Sequence, residues 1–258
     1  FGNHPMHLHG QHFKVAASGS VLDYNNIAAD RRADIVTSVV PRWGTQTIEW
    51  EAVDEGNWLL HCHISGHVSA TQLSYLGDID SRELAARPSG MGGMVVGITA
   101  RNSAGDGYSQ PAATREITML LEEASSSHSD QKRFNISFRE GKDTLSAATT
   151  PGPAIHLTKN EAVSINIVNR LNEPTSIHWH GMELKSYYDG VAGFSGMGAS
   201  VTPMIQPGDS FKAYMTPPRA GTYFYHSHHR DEEQLPAGLY GAMIVSDPDQ
   251  PFNSETDK

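Results

Sequence analysis

Gly56-Asn57-Trp58-Leu59-Leu60-His61-Cys62-His63 and Gly221-Thr222-Tyr223-Phe224-Tyr225-His226-Ser227-His228 are one eight-residue pattern written twice in the same chain. Each copy opens on glycine, runs through apolar and aromatic residues at strand length, and closes on His-X-His. Upstream of them, His7-Leu8-His9-Gly10 matches His178-Trp179-His180-Gly181, and downstream Gly93-Met94-Val95-Val96 resembles Gly241-Ala242-Met243-Ile244-Val245. The first pair precedes the second by 54 residues in one copy and by 48 in the other. Two copies of one β domain are the simplest account of a repeat at this spacing.

Other segments read the same way. Thr45–Trp50, Ala162–Val168 and Ser210–Tyr214 alternate or run apolar over strand lengths, and Pro-Gly, Pro-Pro and Asp-Gly pairs punctuate them. With 24 Gly and 14 Pro in 258 residues, the composition suits a turn-rich all-β protein. The expected division is a domain over 1–100, a polar linker over 101–112, a second domain over 113–250 and a tail over 251–258. One short helix is expected at Asp80–Arg87, inside an insertion running from about Val68 to Ser89. The second copy has 63 residues between a strand starting at Arg115 and His178, whereas only 6 precede His7. The first domain is therefore expected to lack its N-terminal strands, leaving inner faces and sheet edges to be completed by upstream sequence or another subunit.

The net charge of −10 and the absence of a basic run argue against a nucleic-acid surface. No apolar run reaches the length of a membrane span, and no signal peptide is present in the chain. A single cysteine cannot form an intrachain disulfide. Enclosed by His61 and His63, with His67 four residues beyond His63, it reads as a metal ligand. His-X-His on a strand sends both imidazoles to one face and the middle side chain to the other. Two such pairs from each domain, facing across an interface, would surround one cavity with eight imidazoles. Cys62 would then turn into its own domain, where His4 and His67 are the natural imidazoles. Thiolate, two imidazoles and a weak axial ligand make a blue-copper electron-transfer site.

These four motifs, at mutually consistent spacing over most of the chain, resemble those of multicopper oxidases, the laccase-like proteins built of cupredoxin domains. The resemblance implies two cupredoxin-like Greek-key sandwiches and four coppers per active unit. By it, His4, Cys62 and His67 hold the type 1 copper, and His7 and His178 the type 2 copper. His9, His61, His63, His180, His226 and His228 hold the type 3 pair. The halves stand in the reverse of the usual family order, like the C-terminal part of bacterial three-domain members. The usual axial methionine position is occupied by Gln72, so with an insertion from Val68 the axial ligand is expected to be Met91, with Gln72 as the other candidate. Asp189, in Tyr188-Asp189-Gly190, stands where the family carries an acid near the type 2 copper. An Asp-Gly turn is its plainer reading. Asp231, Glu232 and Glu233 follow His228 closely and are further candidate acids, against the plainer reading of a solvated loop. His12, His128, His156 and His229 are left as surface or supporting residues.

The implied reaction is one-electron oxidation of a phenolic, aromatic or metal-ion substrate at the type 1 copper, coupled to four-electron reduction of O2 to water at the trinuclear cluster. An extracytoplasmic location follows from the same resemblance. A trimer is compatible with it, with the cluster formed within one chain or between neighbours. A closed zinc site uses four ligands, far fewer than one thiolate and ten imidazoles. A two-domain copper nitrite reductase lacks paired His-X-His motifs in both domains. A copper-binding or metal-handling protein with little turnover is the rival from another class.

Overall fold

The computed structural model describes residues 2–52, 54–68, 93–101, 112–124 and 132–252. Its first half contributes β1 (His4–Leu8), β2 (Lys14–Ser20), β3 (Tyr24–Asn26), β4 (Thr37–Val40), β5 (Gly44–Glu49), β6 (Gly56–Cys62), helix α1 (Ser65–Val68) and β7 (Val95–Ala100). The second half contributes β8 (Arg115–Glu123), β9 (Phe134–Glu140), β10 (Ile155–Thr158), β11 (Val163–Arg170), β12 (Ile177–His180), β13 (Gly196–Met197), β14 (Ser200–Val201), β15 (Ser210–Met215), β16 (Gly221–Ser227), helix α2 (Asp231–Gln234) and β17 (Tyr240–Ser246). The expected all-β class is what the chain adopts. The helix expected at Asp80–Arg87, most of the linker, and Gln72, Met91 and His128 lie outside the described residues.

The second half is a sandwich of two four-stranded sheets, β10-β17-β16-β12 and β15-β11-β8-β9. Period-two alternation builds its core. Ile117, Met119 and Leu121 on β8 and Val163, Ile165 and Ile167 on β11 meet Ile177 and Trp179 on β12, Tyr225 on β16, and Met243 and Val245 on β17. The residues between them on β12 and β16, namely His178, His180 and His226, therefore project from the opposite face.

The first half repeats this local arrangement. β1 lies between β4 and β6, and β7 adds to the far edge of β6, while β3-β2-β5 forms a separate three-stranded sheet. The repeat extends to register: His7 lies opposite His61 and Met6 opposite Cys62, just as His178 lies opposite His226 and Ile177 opposite Ser227. The hydrophobic clusters differ in size. In the first half, Leu59, Cys62 and Val68 pack with Val191 of the second half, while Val21, Leu22, Trp43 and Val96 are exposed.

A segment of the second half is woven into the first. Gly196 on β13 pairs with Asn57 on β6, and the Ser186 hydroxyl donates to the Asn57 carbonyl at 2.7 Å while accepting from the Gly196 amide at 2.8 Å. Gly56 permits this approach: its φ is +139°, and a Cβ there would stand 2.2 Å from Ser186 Cβ. The glycine that opens the first repeat motif is thus a contact point between halves, which fixes how the two histidine-bearing faces meet.

Candidate metal centre

β1 and β6 of the first half, with the residues just after them, present their histidines to those of β12 and β16 of the second, and His7 with His178 and His180 forms one of several close imidazole groups. His7 and His178 approach with their Nε2 atoms 3.4 Å apart. His9, His61 and His228 form a close triad, and His63, His180 and His226 form another. The arrangement has an approximate twofold relation between halves: His7 stacks on His180 at 3.6 Å and His9 on His178 at 3.8 Å. All residues of the group belong to one chain, so no neighbouring subunit is needed to supply an imidazole.

On the other face of the first half, Cys62 Sγ lies 3.4 Å from His67 Nδ1 and 3.9 Å from His4 Nδ1. Strand parity explains the separation: His4, Met6 and Cys62 share the inward face, whereas His7, His9 and His61 face the other half. Cys62 is completely buried, and burial pushes its thiol pKa up. A metal ion or another cation is what would favour the thiolate there.

The hydrogen-bonding of the cluster fits a metal site. Five imidazoles direct Nδ1 outward: His7 to the Val36 carbonyl at 2.7 Å, His61 to the Cys62 carbonyl at 3.0 Å, His178 to the Asp189 carbonyl at 2.7 Å, His226 to the Ser227 carbonyl at 2.7 Å, and His9 to Asp189 Oδ2 at 2.8 Å. Each donation leaves the Nε2 lone pair facing the centre, the tautomer a metal requires. His63 Nε2, His226 Nε2 and both ring nitrogens of His228 are buried without a protein partner. His9 Nε2 and His61 Nε2 are only 2.9 Å apart. Buried polar atoms are normally paired, so this concentration of unpaired nitrogens marks a place built for cations.

Burial, reinforced by the neighbouring imidazoles, holds His7, His9, His180, His226 and His228 well below the usual histidine range. It lowers His61 to about 3 and His63 to about 4. Neutral rings are the form that binds a metal. In the unfolded chain these histidines take up protons near pH 6.5, whereas the folded chain does not until the pH nears 4 or below. The metal-free protein should therefore lose stability steadily as pH falls from about 7 toward 4. A thermal midpoint that stayed level across that window would contradict the depressed values.

Asp189 is fully buried and tied to both sides of the group. One carboxylate oxygen accepts from His9 Nδ1 and, at 3.1 Å, from the Ser195 hydroxyl; the other lies 3.3 Å from His178 Nδ1. The plainer Asp-Gly reading holds as well, because Asp189 ends a 3-10 turn over Ser186–Tyr188. Gly190 has φ +93°, and a Cβ there would meet the Ile177 carbonyl oxygen at 1.9 Å. Gly190→Ala should destabilise the fold by roughly 1–3 kcal/mol from backbone strain alone, and a thermal melt of the metal-free variant measures it.

Glu232 and Glu233 do not join the imidazoles. They lie on the exposed side of α2, where Glu233 pairs with Arg230. Of the three consecutive acids, Asp231 is the one turned inward. Burial raises its pKa to about 7, and its Oδ1 has no partner. Of the remaining histidines, His12 bonds Glu183 at 2.8 Å, and Arg219 holds the same carboxylate. His156 lies against Phe252, ring centroids 4.0 Å apart and tilted by 34°. Sequence reasoning did not anticipate Val36, Ser195 or the His12–Glu183 pair. A backbone carbonyl leaves no trace in residue type, although His12 and Glu183 each stand three residues past a His-X-His pair.

Fold and site together define a protein of paired β domains with a thiolate–imidazole site on one face and an imidazole cluster between halves. Family models described as multicopper oxidase match residues 1–73 and residues 135–250. The chain belongs to the multicopper oxidase family, whose cofactor is copper. It is similar to copper resistance protein A of Escherichia coli, 42% identical over 95 residues, which cover 37% of this chain and 14% of that protein. It also resembles multicopper oxidase MmcO of Mycobacterium tuberculosis, 37% identical over 103 residues, covering 40% of this chain and 19% of that protein. The solved multicopper oxidase mgLAC aligns over 53% of this chain and 40% of its own at 31% identity, with a TM-score of 0.42. These alignments span well under half the length of the relatives.

Proposed function

We propose that this chain carries the electron-accepting and dioxygen-reducing centres of an oxidase that takes single electrons from a small reducing substrate and reduces O2 to water. In this reading His4, Cys62 and His67 hold the type 1 copper and His7 with His178 the type 2 copper. His9, His61 and His228 hold one type 3 copper, and His63, His180 and His226 the other. The observation that supports the reading is the pair of close triads, His9–His61–His228 and His63–His180–His226, with Cys62 placed covalently between one member of each. Bound copper supplies one-electron exchange at the thiolate site and, at the cluster, the multi-electron chemistry of dioxygen.

The chain's own residues do the rest. The backbone from Cys62 to His61 and His63 is a continuous covalent path joining the two sites, and the His61 Nδ1–Cys62 carbonyl bond shortens it. The outward hydrogen bonds fix ring orientation, which such partners commonly do at metal sites. Asp189 orients His9 and His178 and is the acid best placed to hold a proton beside them. Asp231 is a second proton-holding group, half-buried and close enough to His178 for the imidazole to influence its titration.

Phenols and aromatic amines are the first substrate class, and metal ions the second. Relatives named for copper resistance lend weight to the second. An extracytoplasmic location is proposed on the family resemblance. Among the described residues, no helix is long and apolar enough to cross a membrane. The test is copper content, blue absorbance and oxygen uptake with a phenol, Fe(II), Cu(I) and Mn(II). About four coppers per chain with oxygen consumption supports the oxidase. Full copper content without oxygen uptake from any donor would replace it with a copper-handling role.

A further inference from the structure

The repeat places three polar residues of the second half where the first half has its thiolate–imidazole group. Thr175 stands three residues before His178, as His4 does before His7, and Ser227 replaces Cys62 in the middle of the second His-X-His pair. A four-residue helix follows each of these pairs. α1 delivers His67 toward Cys62, and α2 delivers Gln234 toward Ser227. The resulting contacts are short and fully buried. Thr175 Oγ1 donates to Gln234 Oε1 at 2.8 Å, and Ser227 Oγ donates to the same oxygen at 2.5 Å, with the His229 carbonyl a longer alternative acceptor at 3.1 Å. The amide nitrogen of Gln234 donates to the Pro174 carbonyl and to Glu173 Oε1, both at 2.9 Å. Every hydrogen-bonding group of the Gln234 side chain is thereby used.

We propose that Thr175, Ser227 and Gln234 are a hydrogen-bonded counterpart of the His4–Cys62–His67 site, fastening the second half's histidine strands without a metal where the first half relies on one. This inference rests on the proposed copper reading for the first half, but the second half's knot is complete in the protein alone. The physical contrast is direct. Around Gln234 donors meet acceptors, so the group is stable as it stands. Among the described residues around Cys62, the buried thiol and two imidazoles crowd one point, with Sγ–Nδ1 distances of 3.4 and 3.9 Å and an Nδ1–Nδ1 distance of 3.2 Å. Thr175, Ser227 and Gln234 are thus positioning residues: they hold Ile177–His180 against Gly221–Ser227, so that His178, His226 and His228 stand in place before any metal arrives.

Amide hydrogen exchange on the metal-free chain tests the asymmetry. Ser227, His228 and Leu239 donate to Leu239, Ser176 and Gln234 carbonyls respectively, and Cys62, His63 and His67 donate to Met94, Pro5 and Ile64 carbonyls. The first set should exchange roughly tenfold more slowly than the second. Gln234→Leu should remove that protection from the first set, leave the second unchanged, and reduce copper uptake at the imidazole cluster while the blue absorbance of the Cys62 site persists. A purely global loss of stability would instead accelerate both sets.

Conversion in the other direction tests the correspondence of place. Thr175→His, Ser227→Cys and Gln234→His together, in a Cys62→Ser background, should produce a Co(II) thiolate charge-transfer band that the background alone lacks. Equal exchange of the two sets in the unmodified metal-free chain would overturn the proposal, as would Gln234→Leu leaving the first set protected. Should the chain take up no copper at all, the oxidase reading fails while the exchange asymmetry still judges the knot.

Discussion

Replacing Cys62 by serine is expected to remove the blue absorbance completely and to lower oxygen uptake to about one-thousandth or less, while copper at the eight-imidazole group is retained. The reason is positional. Cys62 is the one thiol in the chain, it faces away from the cluster, and its neighbours His61 and His63 join the close imidazole triads on the other side. A serine hydroxyl is smaller than the thiol, so the fold should tolerate it, but it cannot supply the soft anionic ligand that such a site uses. Metal analysis should show about one copper fewer per chain, with the remaining signal unchanged in line shape. Retained oxygen uptake with a phenol would mean that electrons enter elsewhere, and the assignment of Cys62 as their port would fall.

Asp189 should give the second-largest effect. It accepts from His9 and from the Ser195 hydroxyl, and its second oxygen lies 3.3 Å from His178 Nδ1, all in a site with no exposure to solvent. Removing groups that orient metal-binding imidazoles commonly costs about 10–100-fold in affinity or activity. The carboxylate holds His9, whereas His178 donates to the Asp189 backbone carbonyl, which alanine keeps, so Asp189→Ala should fall within that range, with copper content falling at the cluster. Asp189→Asn separates orientation from proton supply: the amide oxygen can still accept from His9, but the side chain carries no exchangeable acid proton. Asn should restore copper content while oxygen uptake remains as low as in Ala, with a larger solvent isotope effect than the unmodified protein. Full activity in the Asn variant would reduce Asp189 to a positioning role.

The contrast between Asp189 and Glu232–Glu233 shows how far residue order reaches. All three were candidates because acids near histidines suit oxygen chemistry. Asp189 lies nine residues beyond His180 in sequence, yet the turn ended by Gly190 folds it back under His178. Glu232 and Glu233 lie nearer to His228 along the chain, but the helix begun at Asp231 turns them toward water and turns Asp231 inward. Sequence distance gave the wrong order of proximity here, because a turn and a helix phase decide direction within a few residues.

What the amino-acid order by itself determined was the repeat, the strand character of the four His-X-His segments, and the opposition of Cys62 to its flanking histidines. These follow from period-two geometry, a local property that needs no knowledge of distant contacts. The match of Thr175 to His4, and of Gln234 to His67, emerged only with the tertiary structure. Only the tertiary structure brought His9 close to His61 and His228, and His180 close both to His63 and His226 and to His7 and His178, within a single chain. Those facts depend on how two sheets meet across an interface, set by contacts such as Gly56 against Ser186 between residues 130 positions apart. Local periodicity cannot encode a separation of that kind; packing does.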